Sequence, residues 1–175
     1  MMDKNSSIYK TVLLGVVCAV AGVLLAVVNS ITAPVIAENE IAAVKQNLIA
    51  IYPDVSDFKD ISEDALKDEE TGLVDAVYQA GDKGYIFSCH NVGYTADGFT
   101  FLIGYNNDGT VSGYTVLSQK ETAGKGSLAF EGDYVDEVMT LTAEDDMPLI
   151  SGATITTKAV GEAVKAAQAV FATLQ

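Results

Sequence analysis

The chain has 175 residues, 24 of them acidic and 10 basic, and its formal charge is −14. All the basic residues are Lys, and a surface so acidic repels nucleic acid and anionic lipid headgroups, which excludes both as charge-driven partners. One His and two Cys are too few for a disulfide framework and leave little for a Ser/His/Asp triad or a multi-ligand metal centre.

In chain order, the first predicted element is apolar. No charged residue occurs from Thr11 to Ala37, and Val12 to Val28 is almost wholly Val, Leu, Ala and Gly. A membrane-spanning helix needs about 20 such residues at a rise of ~1.5 Å each. A cleaved signal core is shorter, about 7–15 residues, and Cys18 follows Val17, where a lipobox requires a small residue. Lys4 and Lys10 precede the run, whereas Glu38 and Glu40 follow it. The positive-inside rule therefore puts residues 1–10 in the cytoplasm, a transmembrane helix at 11–31, and the remainder outside the cell membrane.

Asn29 to Pro34 ends this run, with Thr32 as cap and Pro34 near the first turn of a second helix. Ile41, Val44, Leu48 and Ile51 form its apolar stripe, so residues 32–53 are expected to make a stalk lying against the outer domain, which fills 54–175. That domain begins with an acidic connector, Asp54 to Gly72, which lacks the ligand spacing of a calcium loop. Strands are expected at Leu73–Gln79, Tyr85–Val92, Phe99–Tyr105 and Val111–Leu117. Gly-containing turns at Ala80–Gly84 and Asn106–Thr110 join them into hairpins. Cys89 beside His90 reads as part of a strand, since no further metal ligands accompany it. The polar loop Glu121-Thr122-Ala123-Gly124-Lys125-Gly126-Ser127 leaves the last strand, and a short helix is expected over Phe130–Leu141. The fold class is α+β: an antiparallel sheet of about four strands with flanking helices.

Ser151-Gly152-Ala153-Thr154-Ile155-Thr156-Thr157-Lys158-Ala159-Val160 precedes the last helix, whose apolar residues recur at Val160, Ala163, Val164, Ala167, Val170, Phe171 and Leu174. A helix N-terminus offers unpaired N–H groups and the positive end of the dipole, worth about 0.3–1 kcal/mol to an exposed anion. On the residues alone two readings stay open. Thr156 or Thr157 caps the helix while Gly152 makes a turn, or the stretch receives a phosphate.

Ser151-Gly152-Ala153-Thr154 resembles the S/T-G-A-T flavinylation motif of the FMN-binding domain found in the G subunit of Rnf complexes and the C subunit of sodium-pumping NADH:quinone reductases. Thr156-Thr157-Lys158-Ala159-Val160 is similar to the family's continuation, Glu121-Thr122-Ala123-Gly124-Lys125-Gly126 to its E-T-P-G-L-G loop, and Gly93-Tyr94 to a Gly-Tyr after a strand. The single span and Thr-Ala-Pro stalk resemble it too. The chain departs where Ala123 and Lys125 replace Pro and Leu, and where Pro148 stands in place of a frequent acidic residue.

The resemblance implies FMN joined by a phosphoester to Thr154 and attached by a flavin transferase that takes FAD as donor. Ser151, Gly152 and Ala153 would shape the acceptor turn, with Thr156 and Thr157 capping and Glu121 and Thr122 beside the flavin. No metal is implied in the chain itself. The expected function is an electron-relay subunit of a membrane Rnf-type complex coupling ferredoxin:NAD electron transfer to ion translocation, in company with other subunits. Chain length favours the Rnf type over the longer quinone-reductase subunit. The rivals are a free-standing surface flavoprotein and a membrane-tethered binding module without redox chemistry.

Overall fold

The computed structural model describes residues 7–175, with side chains described for 10–23, 26 and 44–175. It divides into two units, Met1–Ala43 and Val44–Gln175.

Helix α1 runs Ser7–Ile51. One helix thus runs through the expected span and most of the expected stalk, and it continues through Pro34, where a break is expected. From Lys10 to Val23 every side chain is exposed, including Val12, Leu13, Leu14, Val16, Val17, Val20 and Val23. Among the described residues no helix is long and apolar enough to cross a membrane. The expected span at 11–31 falls partly on residues 24, 25 and 27–31, whose side chains lie outside those described.

The second unit is built on a five-stranded antiparallel meander in the order β1-β2-β3-β4-β5. Its strands are β1 (Phe58–Asp60), β2 (Val74–Ala80), β3 (Gly84–Asn91), β4 (Phe99–Asn106) and β5 (Val111–Gln119). β1 is an addition to the four expected strands. It pairs Phe58 with Ala80 and Asp60 with Tyr78, yet three residues inside an acidic stretch are too few to show an alternating pattern. Helix α2 (Ser62–Ala65) follows it. The turn between β4 and β5 closes with the Gly109 N–H donating to the Asn106 carbonyl at 2.9 Å. Gly109 there has φ +84°, a value that side chains disfavour.

Both faces of the sheet are covered, which explains the nearly continuous apolar runs of β3 and β4. One face presents Phe87, Phe101, Ile103 and Tyr105 to the last helix, α4 (Thr154–Thr173), whose Val160, Ala163, Val164, Ala167, Val170 and Phe171 are all buried in the same core. Each large side chain buried this way contributes roughly 1.5–3 kcal/mol. On the opposite face Ala80, Ile86 and Leu102 pack with Leu48 and Tyr52 from the end of α1 and the residue after it. The Tyr52 hydroxyl donates to the Tyr105 carbonyl at 3.0 Å, fixing this end of the helix to the sheet.

The region after β5 is tighter than expected. A 3-10 turn covers Gly126–Phe130, and helix α3 is limited to Asp133–Val138 in place of Phe130–Leu141. Gly132, with φ +57°, separates the two, because the left-handed region interrupts a right-handed helix.

Candidate functional site

Three segments converge at the N-terminus of α4. The first is the turn Ile150–Ala153, closed by the Ala153 N–H donating to the Ile150 carbonyl at 3.0 Å, with Gly152 at φ +90°. That geometry requires glycine at the third position of the turn. Thr157 holds the turn from inside the helix. Its hydroxyl donates to the Ala153 carbonyl at 3.2 Å and accepts from the Ile150 N–H at 3.4 Å.

Thr156 and Thr157 are both fully buried, and this corrects the expectation that one of them caps the helix. The cap position is Ala153, whose side chain makes no capping hydrogen bond. Both hydroxyls sit past the cap on the inward side of the helix, that of Thr157 bonded to the turn and that of Thr156 to Glu121. The first-turn N–H groups of α4 are therefore left for an outside acceptor. Thr154, the first residue of α4, is exposed, and its hydroxyl donates to the Ile150 carbonyl at 3.2 Å.

The other two segments are the loop after β3, which carries Gly93, Tyr94 and Thr95, and the loop after β5, which carries Glu121 to Gly126. Glu121 joins them to the helix. It is buried, with 7% of its surface exposed. Its Oε2 accepts from the Thr156 hydroxyl at 3.1 Å. Its Oε1 accepts from the Thr95 hydroxyl at 3.0 Å and the Thr95 N–H at 3.2 Å. Asn91 adds a tie from the end of β3, donating from Nδ2 to the Ala159 carbonyl at 2.9 Å.

Between these segments lies a cleft of about 230 Å³, open to solvent, lined by Tyr94, Lys125, Gly126, Gly152, Ala153, Thr154, Ile155 and Thr156. Of the residues singled out in the sequence, Gly152, Ala153, Thr154 and Thr156 line it. Ser151 is exposed on the turn outside the lining, and Thr122 is exposed in its loop with its carbonyl accepting from the Lys125 N–H at 3.0 Å. Glu121 stands behind the wall. Thr95, Asn91 and Ile155 are not visible as site residues in the sequence, since an isolated Thr or Asn at a strand exit carries no periodic signal.

The donor set fits a phosphorylated, planar ligand: uncapped N–H groups and a Lys for the phosphate, glycine backbone and an exposed Tyr ring for a flat ring system. Among the described residues no group of three His, Cys, Asp or Glu is placed to hold a metal ion. Cys89 is buried in the core, where burial, with the Asp75 and Glu69 charges adding to it, pushes its thiol well above the ordinary range. It is a structural thiol.

Comparison with known proteins bears on this geometry. Residues 93–169 match the FMN-binding domain, and residues 1–51 match the RnfG N-terminal region. The chain is similar to Rnf G subunits in both regions. The FMN-binding domain match takes in every residue that lines the cleft. The chain is 28% identical to the G subunit of the proton-translocating ferredoxin:NAD(+) oxidoreductase complex from Clostridium ljungdahlii, over 94% of this chain and 91% of the relative. It is 29% identical to the G subunit of the ion-translocating oxidoreductase complex from Methanosarcina acetivorans, over 95% of each.

Proposed function

We propose that this chain is an electron-relay subunit of a membrane-bound, ion-translocating ferredoxin:NAD oxidoreductase complex, carrying FMN esterified to Thr154. The relatives' names support the complex, and the FMN-binding domain supports the cofactor. One observation carries the attachment point: Thr154 is an exposed hydroxyl on the first turn of a helix without a side-chain cap, at the edge of the cleft.

FMN supplies one- and two-electron redox chemistry when bound. The chain supplies the rest. First-turn N–H groups and Lys125 receive phosphate oxygens, Gly152 and Gly126 bring backbone close, and Tyr94 offers a ring face. A cleft of about 230 Å³ falls below the roughly 300–1,000 Å³ usual for a site that retains a dissociable ligand. A covalent bond removes that equilibrium and keeps the cofactor on an acidic domain that holds an anion poorly.

In the attachment step, the Thr154 oxygen bonds to the FMN-side phosphorus of FAD, the phosphoanhydride breaks, and AMP leaves. A flavin transferase takes the hydroxyl proton. The all-round exposed, almost wholly apolar side chains of Val12–Val23 suit a membrane helix. The Lys-before, Glu-after pattern supports an extracytoplasmic domain.

In-gel flavin fluorescence after co-expression with a flavin transferase tests the site. Thr154→Val is expected to abolish the signal and Thr156→Val to leave a fluorescent band. The reverse result would move the attachment point.

A further inference from the structure

Glu121 is a buried carboxylate that never reaches the cleft surface, yet it touches the segments that form the cleft. Its Oε2 receives the hydroxyl of Thr156, and Thr156 lines the cleft. Its Oε1 receives two donors from Thr95, the residue after the lining Tyr94. Two glycines make room for it. A Cβ on Gly93 would stand 2.5 Å from Oε1, and one on Gly126, a lining residue, would overlap Oε2. All three hydrogen bonds are received, the pattern of an ionised carboxylate, which can only accept. A negative charge thus lies one residue's thickness behind the wall.

We propose that Glu121 is a positioning residue that also sets the redox poise of the site: acting through Thr156 and Thr95 it holds the walls in register, and its charge opposes electron uptake by a group in the cleft. Charge and hydrogen bonding close to a redox group are the protein's means of tuning its potential. The inference rests on the flavin reading above.

Two substitutions separate charge from structure. Glu121→Gln keeps the Thr95 bonds through its carbonyl oxygen, while Thr156 turns its hydroxyl to accept from the new amide. The latch survives and the charge goes. Thr156→Val is isosteric, keeps the charge and removes one donor that compensates it, together with the acceptor of the Tyr94 N–H at 3.4 Å. Potentiometric titration of the flavin-loaded, full-length protein is expected to show Glu121→Gln shifted about tenfold toward reduction, about 30 mV for a two-electron couple. Thr156→Val is expected to shift in the opposite direction. A residue with only a structural role would not give shifts of opposite sign. Potentials equal to wild type in the loaded variants, or shifts of the same sign, overturn the proposal; should Glu121→Gln not fold, the sign of the Thr156→Val shift decides alone. Absence of flavin from the wild type under the same co-expression would instead overturn the attachment reading.

Discussion

Gly126 and Glu121 meet so closely that a methyl group on Gly126 would overlap the carboxylate, with Cδ at 2.8 Å and the Thr156 hydroxyl oxygen also at 2.8 Å. The contact is made by the end of a side chain, but that end is pinned by Thr95 and Thr156.

Gly126→Ala is therefore expected to cost about 1–3 kcal/mol, the usual range for overpacking a well-filled site. Thermal or urea unfolding of the Val44–Gln175 unit within the whole chain measures this. Adding Glu121→Ala to Gly126→Ala should lose less stability than the two single losses combined, because the second change removes the group that the first collides with.

Acid sensitivity has a local source at the far end of the sheet. The hydroxyl of Thr142, together with its N–H, donates to Asp145 at 2.8 Å and holds that carboxyl below its ordinary value. Asp108 is held down in the same way by the hydroxyl and N–H of Thr110, and Thr110 bridges to Thr142. A carboxyl lowered in the folded state gives stability that is present above the unfolded value, about 3.9 for Asp, and is lost as pH falls through the folded value. Asp145→Asn should thus lower the melting temperature slightly at pH 7 and less at pH 3. A variant whose melting temperature falls equally at both pH values would contradict this.

Cys89 is expected to resist thiol-directed reagents in the native protein and to react on unfolding, since burial disfavours its thiolate. A Cys18→Ser chain makes the readout unambiguous. Mass spectrometry should show no adduct in buffer and one adduct in urea.

Much of the sheet is legible in the sequence because hairpin turns announce themselves: Gly81 and Gly109 both adopt positive φ, and the strands they join start and stop within a few residues of expectation. The last helix is legible from its three-and-four spacing, and its apolar stripe is the buried face. β1 is not, as its pairing with β2 is set by tertiary contact rather than by pattern. In the site, the turn at Gly152 follows from local sequence. The role of Glu121 does not, because it depends on two loops and a helix start brought together from positions 95, 121 and 156. Ser and Thr at a helix start usually cap it, which is why Thr156 and Thr157 mislead; Glu121 takes the hydroxyl of Thr156 and the turn takes that of Thr157.

The central claim is the bond at Thr154, and intact-mass spectrometry of the chain co-expressed with a flavin transferase tests it most directly. An added mass equal to FMN less one water is expected, carried on the peptide that contains Thr154 and absent from Thr154→Val. An unmodified mass under those conditions, or the same adduct placed on Thr156 or Thr157, would contradict it.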